Sequence, residues 1–305
     1  MGKHLLIIRL SSFGDVAMTV PVIGLLRSKH PEIKITILTT EFFSALFSQV
    51  PNINFIFFEP KHKTLSGLYS LSKDINNLNP DYVLDLHNVL RTKLLRFFSA
   101  LSCNNIKANF ILDKGRKEKK ELIKGVTFKQ LKSMHQRYAD VLCRLNIKLD
   151  LRNFKYYKKI NISNKNYKFN TQNKIIGIAP FAGHICKEYS LTKIIEIIAF
   201  LNDTYEILIF GGPGDEAKKI KEICKTNKNT YNISTDYSLE EQMGIISNLD
   251  LMISMDSANG HIASLFGIHV LTIWGATHPF TGYAPYMQPE INSITPDIKS
   301  YPKLP

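Results

Sequence analysis

Short apolar runs alternate with helical patterns along almost the whole chain, and this alternation limits the possible folds most strongly. In the first half, strand-like runs at residues 4–9, 34–39 and 82–86 are each followed by a segment with helical periodicity. A second set begins at residues 174–179 and continues to residues 269–273. Such repeats are typical of parallel sheets with helices on both faces. We therefore predict an α/β protein with two Rossmann-like domains that face each other across a cleft.

A segment without clear periodicity separates the two sets. Residues 153–173 are rich in Asn, Lys and Tyr and show weak helical or strand period. The length of 305 residues suits two domains of ordinary size. We expect an N-terminal domain at residues 1–155, a linker region at 156–173 and a C-terminal domain at 174–305.

The positive charge is concentrated in one stretch. The chain has a net charge of +13, and residues 107–174 hold 19 Lys and Arg against 5 Asp and Glu. Such a stretch indicates an acidic partner, which could be nucleic acid, an anionic membrane or a phosphorylated substrate. Alternatively, the lysines only make the surface soluble, and much of residues 114–124 looks like an exposed loop. No zinc finger, RNP motif or helix-turn-helix is present, so we do not expect nucleic acid as a partner.

The cysteines and the N-terminal residues indicate the cellular compartment of the protein. Cys103, Cys143, Cys186 and Cys224 have no metal-ligand spacing, and we expect reduced, mostly buried thiols in a reducing compartment. The first apolar run, residues 5–10, is too short for a signal peptide, and no stretch approaches a membrane span. We expect a cytoplasmic protein.

The most distinctive turn follows an apolar run at residues 251–255. Ser257, Asn259 and Gly260 lie where this predicted strand turns into a helix. Backbone N–H groups at a helix start lack partners within the helix, and they attract phosphate or carboxylate. An ordinary turn with a capping serine is the alternative. Another strand, residues 269–273, ends nearby, so we expect a ligand that resembles a nucleotide.

A similar turn follows the first strand. Residues 9–15 end in Gly14 and Asp15, at the carboxyl end of a strand, where α/β domains bind ligands. Asp15 could cap the next helix, or it could face the cleft as a general base. The fingerprint G-x-G-x-x-G is absent here, which argues against a dehydrogenase.

Two further loops are candidates for phosphate contacts. Lys187 lies between the end of a predicted strand and a predicted helix that Ser190 would cap, so its side chain could reach a bound phosphate. Alternatively, it is only solvated, as a single lysine in a loop usually is. Gly211 and Gly212 lie in a strand–helix turn, and glycines there let a ligand approach the backbone. A tight turn needs glycine too, so this motif is weak.

Together these motifs resemble those of glycosyltransferase family 9, the ADP-heptose:lipopolysaccharide heptosyltransferases. Residues 11–15, with Thr19 and Pro21, match the S-S-x-G-D signature followed by a Thr–Pro pair. Residues 256–261 match D-[ST]-[AG]-x-x-H, and residues 275–279 match G-x-T-x-P. The matches run in order from residue 4 to about residue 280.

The resemblance implies a GT-B fold with an acceptor-binding N-terminal domain and a donor-binding C-terminal domain. It places Asp15 at the position of the catalytic base of an inverting, metal-independent transfer. From the motifs and the resemblance, the donor-binding candidates are Lys187, Gly211, Gly212, Tyr237, Asp256, Ser257, Ala258, Gly260, His261 and Thr277. The acceptor-binding candidates are Arg9, Ser11, Ser12, Gly14 and Arg91. Residues 85–88, together with Arg91, resemble the family's cleft loop.

The expected partners follow from the same resemblance. They are ADP-heptose as the donor and a phosphorylated lipopolysaccharide core as the acceptor, with no cofactor and no metal, since no Asp-x-Asp motif is present. The basic stretch leaves open a peripheral association with the anionic inner face of the inner membrane. A UDP- or GDP-sugar donor and a catalytically idle homologue remain alternatives. The family's returning C-terminal helix is expected to be missing, short or truncated, because two prolines interrupt residues 299–305.

Overall fold

The computed structural model describes residues 3–102, 106–162, 173–297 and 299–301. The chain forms two compact units. Unit 1 contains Met1–Lys114 and Met134–Lys155, and unit 2 contains Gly115–Ser133 and Tyr156–Pro305. Residues 115–133 therefore group by contact with the second unit, although they precede the predicted linker. Residues 163–172 of that linker lie outside the described residues.

Unit 1 is built on a five-stranded parallel sheet in the order β3-β2-β1-β4-β5. Its strands are β1 (His4–Ile8), β2 (Lys34–Thr39), β3 (Ile53–Phe57), β4 (Tyr82–Asp85) and β5 (Ala108–Ile111). The helices in this half of the chain are α1 (Phe13–Ala17), α2 (Val20–Lys29), α3 (Glu41–Ser44), α4 (Leu65–Asn77), α5 (Leu90–Ser102), α6 (Arg116–Ile123) and α7 (Met134–Cys143). Of these, α6 belongs to unit 2. All five residues of β1 are buried, as expected for a central parallel strand.

The helical pattern at residues 16–29 predicts a single helix, but the structure has two helices there. α1 ends at Ala17, and α2 starts at Val20 with Pro21 in its first turn. Proline has no N–H to donate, so it is tolerated in a first turn but breaks a helix interior. The break therefore follows from the position of Pro21.

Unit 2 is built on a six-stranded parallel sheet in the order β11-β10-β9-β6-β7-β8. Its strands are β6 (Ile175–Ala179), β7 (Glu206–Ile209), β8 (Thr230–Asn232), β9 (Leu251–Met255), β10 (Val270–Ile273) and β11 (Ser293–Ile294). Its later helices are α8 (Leu191–Leu201), α9 (Asp215–Thr226), α10 (Leu239–Ile246) and α11 (Ala258–Leu265). Ile178, Ile194, Ile207 and Ile253 belong to its main core. The predicted α/β class with two Rossmann-like sheets is confirmed.

The segment between β5 and α7 differs from expectation. The residues expected to form an exposed loop hold α6, whose Lys, Glu and Leu residues favour a helix and whose Leu122 is buried. The helical pattern at residues 128–145 predicts a helix over that whole range, but α7 begins only at Met134. The preceding residues run along unit 2, where the Leu131 N–H donates to the Phe280 carbonyl at 2.9 Å. Tertiary contact, rather than local pattern, determines this path.

The cysteine expectation is wrong in part. Cys143 and Cys186 are exposed and Cys224 is partly buried, while Cys103 lies outside the described residues. None of the described helices is long and apolar enough to cross a membrane. No helix occurs in the described part of residues 295–301.

Candidate functional site

Each sheet has one position where the strand order reverses. In unit 1 it lies between β1 and β4, and in unit 2 between β6 and β9. Ligands of open α/β sheets bind beyond the carboxyl ends of strands at such a switch point. The loops that follow these four strands, together with the helix starts after them, carry most of the predicted site residues.

In unit 1, Asp15 is held by two neighbouring residues. Its Oδ2 lies 2.5 Å from Nη2 of Arg9, and the Ser12 hydroxyl donates to the same oxygen at 2.8 Å. Asp15 is the third residue of α1, and Ser12 is the residue that caps this helix. Asp15 is therefore not the N-cap residue itself, but it takes part in capping, because its Oδ2 also accepts the Ser12 backbone N–H at 3.5 Å as in a capping box. Its side chain is 23% exposed, so the carboxylate is held in one orientation while remaining accessible.

Arg9 connects the loops after β1 and β4. Besides Asp15, its guanidinium reaches the Leu86 carbonyl, with Nη1 at 2.6 Å, and it lies over the ring of Tyr138. Arg9 is only 3% exposed. A buried guanidinium with these partners is suited to orienting Asp15.

Asp85, at the end of β4, shapes the loop that follows. Its Oδ1 accepts the backbone N–H groups of His87 at 3.0 Å and Asn88 at 2.7 Å. Its Oδ2 lies 3.0 Å from Nε of Arg96, a distance typical of an ion pair, although the two groups are not aligned as a hydrogen bond. Because Asp85 is completely buried, these contacts are strong enough to fix the loop's conformation.

His87 completes the polar group in unit 1. Its Nε2 lies 3.5 Å from the Ser11 hydroxyl. Burial, followed by the positive charges of Arg9 and Lys114, lowers the pKa of His87 to about 3 against an opposing effect of Asp15. The imidazole is therefore neutral at physiological pH. A neutral ring can donate from one nitrogen and accept at the other.

Most of the acceptor-side candidates meet around Asp15. Arg9, Ser11 and Ser12 come together through the contacts described above, and Gly14 is the second residue of α1. Arg91 lies in the first turn of α5, with its guanidinium over the Phe58 ring. The family resemblance predicts a cleft loop at residues 85–88 but no role for Asp85 or His87. An aspartate at a buried strand end, with an asparagine three residues later, was the available signal for this turn.

In unit 2, three strand ends converge on Asp256. Its Oδ2 accepts hydrogen bonds from Lys187 Nζ at 2.7 Å and from the Thr277 hydroxyl at 3.1 Å. These residues follow β9, β6 and β10 respectively. The Asp256 side chain is 7% exposed, whereas that of Lys187 is 27% exposed. The ammonium group is thus anchored by a buried carboxylate and still reaches the surface.

A close backbone contact fixes the loop that carries Lys187. The Ala276 N–H donates to the Cys186 carbonyl at 2.8 Å. A Cβ on Gly275 would lie 2.7 Å from that carbonyl oxygen and 2.7 Å from the Lys187 carbonyl carbon. Only glycine therefore allows the loop after β10 to approach the Lys187 backbone this closely.

The start of α11 has the features of an anion site. Ser257 is its N-cap residue but makes no side-chain cap, since its hydroxyl lies 3.0 Å from that of Ser254. The alternative of a capping serine predicts a hydroxyl bond to the helix backbone, which this geometry lacks. Ala258 begins the helix, and Gly260 and His261 are buried within it. The first N–H groups of α11 are therefore available to a negatively charged ligand.

The remaining donor-side candidates lie on other loops. The Gly212 N–H donates to Oε2 of Glu216 at 2.6 Å, and a Cβ on Gly211 would lie 2.8 Å from Ile220. Local packing thus accounts for both glycines. Tyr237 lies between β8, the edge strand, and α10. None of these residues takes part in the contacts described for Lys187.

No group of three His, Cys, Asp or Glu side chains that could hold a metal ion occurs in the described part of the chain. The residues around Asp256 instead combine one cationic side chain with hydroxyl groups and a helix start. Such a set can bind a phosphate group and stabilise negative charge that develops on it.

The family model and the relative that match this chain are both described as heptosyltransferases. The model of the family described as glycosyltransferase family 9 (heptosyltransferase) matches residues 68–304. The lipopolysaccharide core heptosyltransferase OpsX of Haemophilus influenzae is 25% identical over 297 residues, which cover 93% of this chain and 82% of that relative.

Two solved structures share the fold. A glycosyl transferase family 9 protein from Veillonella parvula has a TM-score of 0.76 at 19% identity and covers 99% of this chain and 90% of its own. The E. coli ADP-heptose lipopolysaccharide heptosyltransferase II has a TM-score of 0.71 at 16% identity and covers 97% of this chain and 90% of its own. The predicted GT-B fold is thereby confirmed.

Proposed function

The chain belongs to glycosyltransferase family 9, the heptosyltransferases, and we propose that it transfers a heptose from ADP-heptose to a lipopolysaccharide core acceptor. One observation on the residues of this chain supports the proposal. Lys187, Asp256 and Thr277 meet at the carboxyl ends of β6, β9 and β10, beside the start of α11. This is the position at which a Rossmann-like sheet binds a nucleotide.

The donor diphosphate fits the chemistry of this cluster. Lys187 offers a partly exposed ammonium group, and the N–H groups at the start of α11 offer hydrogen-bond donors. As the bond to the sugar breaks, negative charge grows on the departing ADP. Fixed positive groups stabilise this charge without reorganisation, and this lowers the barrier. A metal ion is not required by this arrangement, so we propose a metal-independent reaction.

Asp15 would act as the general base in unit 1. Its carboxylate takes the proton from an acceptor hydroxyl, and that oxygen forms a bond to the anomeric carbon while the bond to ADP breaks. A single displacement inverts the anomeric configuration. Arg9 would act through Asp15 as a positioning residue, because its buried guanidinium holds the carboxylate. Arg91, Ser11, Ser12 and Gly14 remain proposed contacts for the acceptor.

The nucleotide preference tests the donor site. We expect ADP and ADP-heptose to raise the melting temperature, whereas UDP and GDP do so less. A ligand at about 100 times its Kd stabilises by roughly 2.7 kcal/mol, which is easily measured. Lys187→Ala should weaken the ADP effect, and Lys193→Ala, an exposed lysine paired with Glu196 in the same unit, should not. A preference for UDP or GDP would keep the fold and change the substrate, and no nucleotide effect would indicate an idle homologue.

Turnover tests the base. Asp15→Asn should reduce the transfer rate by about 10² to 10⁴ with the ADP affinity retained. Asp150→Asn is the matched control, because Asp150 also pairs with an arginine in unit 1 but lies far along the chain on a short 3-10 turn. Near-normal turnover in a folded Asp15→Asn protein would refute the role. NMR of the product, which gives its anomeric configuration, tests whether the transfer inverts that configuration. Transfer activity measured in the presence of EDTA tests whether the reaction is independent of a metal ion.

An anionic membrane surface is a further proposed partner. On α6, Arg116, Lys117 and Lys120 are exposed, and the apolar side chains of Ile123 and Val126 at its end are also exposed. Basic groups beside apolar ones favour peripheral binding to anionic lipid, which weakens as salt rises. Such binding would place the protein at the inner face of the inner membrane.

Vesicle sedimentation tests this surface. The double variant Lys117→Glu, Lys120→Glu should bind vesicles of anionic lipid at least tenfold more weakly than the wild type. Lys221→Glu, on an exposed position of α9, is the control and should have a small effect. Binding that does not depend on salt or on α6 would refute the membrane proposal and leave the transferase proposal intact.

A further inference from the structure

Three phenylalanine rings form a cluster at the start of α1, the helix that carries Asp15. The Phe13 ring lies 5.5 Å from both Phe42 and Phe43, and these two rings lie 5.4 Å apart. The contacts combine edge-to-face and stacked geometry, as aromatic groups prefer. Phe42 is 56% exposed, and the other two rings are partly buried. The cluster therefore presents an aromatic surface to solvent.

The topology places this cluster at the reactive edge of unit 1. Phe13 begins α1, directly after the loop that leaves β1, and it lies two residues before Asp15. Phe42 and Phe43 belong to α3, which starts immediately after β2. Because β1 and β2 are parallel neighbours, their carboxyl ends lie at the same edge. The Arg9 N–H, which donates to the Leu38 carbonyl at 3.0 Å, continues this pairing beyond the strands.

The cluster lies outside the described core on the α4 and α5 side of the sheet. The core of unit 1 on the α4 and α5 side is formed by residues such as Leu6, Ile8 and Leu38, and it includes none of the three rings. An exposed aromatic group beside polar reactive residues is a common feature of binding sites. The loop after β1 and the start of α1, which carry Phe13, also carry Arg9, Ser12 and Asp15, whose polar contacts join one another.

We propose that Phe13, Phe42 and Phe43 form a stacking surface for a sugar ring of the acceptor saccharide, next to the hydroxyl that Asp15 deprotonates. This inference rests on the proposed function and adds the acceptor subsite. A pyranose ring has an apolar face of C–H groups that lies flat on an aromatic ring, while its hydroxyls point outward to polar partners. Phe42, the most exposed ring of the three, supplies the main contact.

The position beside Asp15 favours a sugar over a lipid chain. A general base must lie within about 2.6–3.2 Å of the hydroxyl that it deprotonates. Because Phe13 lies two residues before Asp15 on α1, a group stacked on these rings would belong to the saccharide near that hydroxyl. In a lipid-linked acceptor we expect the acyl chains at the end away from the accepting hydroxyl, so a sugar ring is the group that this surface would meet first.

Phe42 variants test the proposal, with a matched control on the same unit. Phe42→Ala removes the ring, Phe42→Trp keeps an aromatic surface, and Phe42→Leu keeps only apolar bulk. Phe97→Ala is the control, because Phe97 is 57% exposed on α5 and also contacts a neighbouring phenylalanine. Two measurements are made: direct binding of a deacylated lipopolysaccharide core oligosaccharide by calorimetry, and the KM values for acceptor and donor.

We expect Phe42→Ala and Phe42→Leu to weaken oligosaccharide binding and raise the acceptor KM by at least tenfold. Phe42→Trp should stay within threefold of the wild type, and Phe97→Ala within twofold. The donor KM and the ADP-induced rise in melting temperature should not change in any of them, since these report on unit 2.

Several results would overturn the stacking surface. These are an unchanged acceptor KM in Phe42→Ala, retention of binding in Phe42→Leu, a defect that appears only with acylated acceptor, and a wild type that binds no oligosaccharide. Failure of the proposed function looks different. A wild type that transfers no heptose would refute the transferase activity, whereas the oligosaccharide titration would still decide whether the rings bind a sugar.

Discussion

The close approach of Gly275 to the Lys187 loop makes a quantitative prediction for Gly275→Ala. The added Cβ would lie 2.7 Å from the Cys186 carbonyl oxygen and 2.8 Å from that of Lys187, whereas ordinary contacts begin at 3.4 Å. The two backbones must therefore separate by about 0.7 Å. The Ala276 to Cys186 hydrogen bond, now 2.8 Å long, opposes this movement.

We expect this strain to reduce both stability and donor binding. Overpacking of this kind costs about 1–3 kcal/mol, which corresponds to a fall in melting temperature of roughly 2–12 °C for units of this size. The same displacement moves Lys187 away from its place beside Asp256, where Nζ and Oδ2 are 2.7 Å apart. ADP affinity should therefore fall by about tenfold or more, since small misplacements of a binding group are costly.

Gly183→Ala is the matched control. Gly183 lies in the same loop as Lys187, and a Cβ there would have no atom within 4 Å. This substitution should change stability by less than about 0.5 kcal/mol. Thermal unfolding with and without ADP, followed by an ADP titration, compares the two variants. If Gly275→Ala matched Gly183→Ala in both measurements, the close contact would not position Lys187.

Three further predictions concern stability. Asp256→Asn and Lys187→Met should couple by about 1 kcal/mol in a urea double-mutant cycle, because one contact joins the two residues; additivity within 0.3 kcal/mol would contradict this. His87 has a pKa lowered to about 3, so its protonation favours the unfolded state, and stability is lost as pH falls below about 6.5 toward 3. Between pH 7.5 and 5, the free energy of unfolding should therefore fall by up to about 2 kcal/mol less in His87→Gln than in the wild type. Curves of unfolding free energy against pH that run parallel in the two proteins would refute this prediction. Ser238→Ala should cost about 1 kcal/mol in chemical denaturation, since Ser238 and Glu241 cap α10 reciprocally; no change would contradict the cap.

Local patterns were sufficient for many elements. β2, β9, α4, α8 and α9 have the bounds that apolar periodicity predicts. These segments have a strong period, and turn residues or helix caps mark their ends. The prediction was less accurate where two local signals competed. At residues 16–29 the helical period predicts one continuous helix, although Pro21 favours a break. At residues 116–123 the high density of charged residues favours a loop, although many of these residues are strong helix formers.

The identities of most candidate site residues came from sequence motifs, but their contacts did not. Lys187 and Asp256 are 69 residues apart, and Arg9 and Leu86 are 77 residues apart. No local pattern indicates that these residues touch. The Gly211–Gly212 turn has local contacts of its own, to Glu216 and Ile220, so the motif by itself does not separate a structural turn from a donor-binding turn, and the donor-binding role stays a prediction.

The sequence by itself determined the α/β class, the two sets of strands and helices and the family, because each depends on periodicity or on short motifs read along the chain. Only the tertiary structure decided which loops meet. Strand order brings the loop after β1 to the loop after β4, and the loop after β6 to that after β9. It also places Phe42 beside Phe13 and leaves its ring exposed. The physical reason is that sheet pairing and burial depend on contacts between distant segments, which a local pattern does not encode.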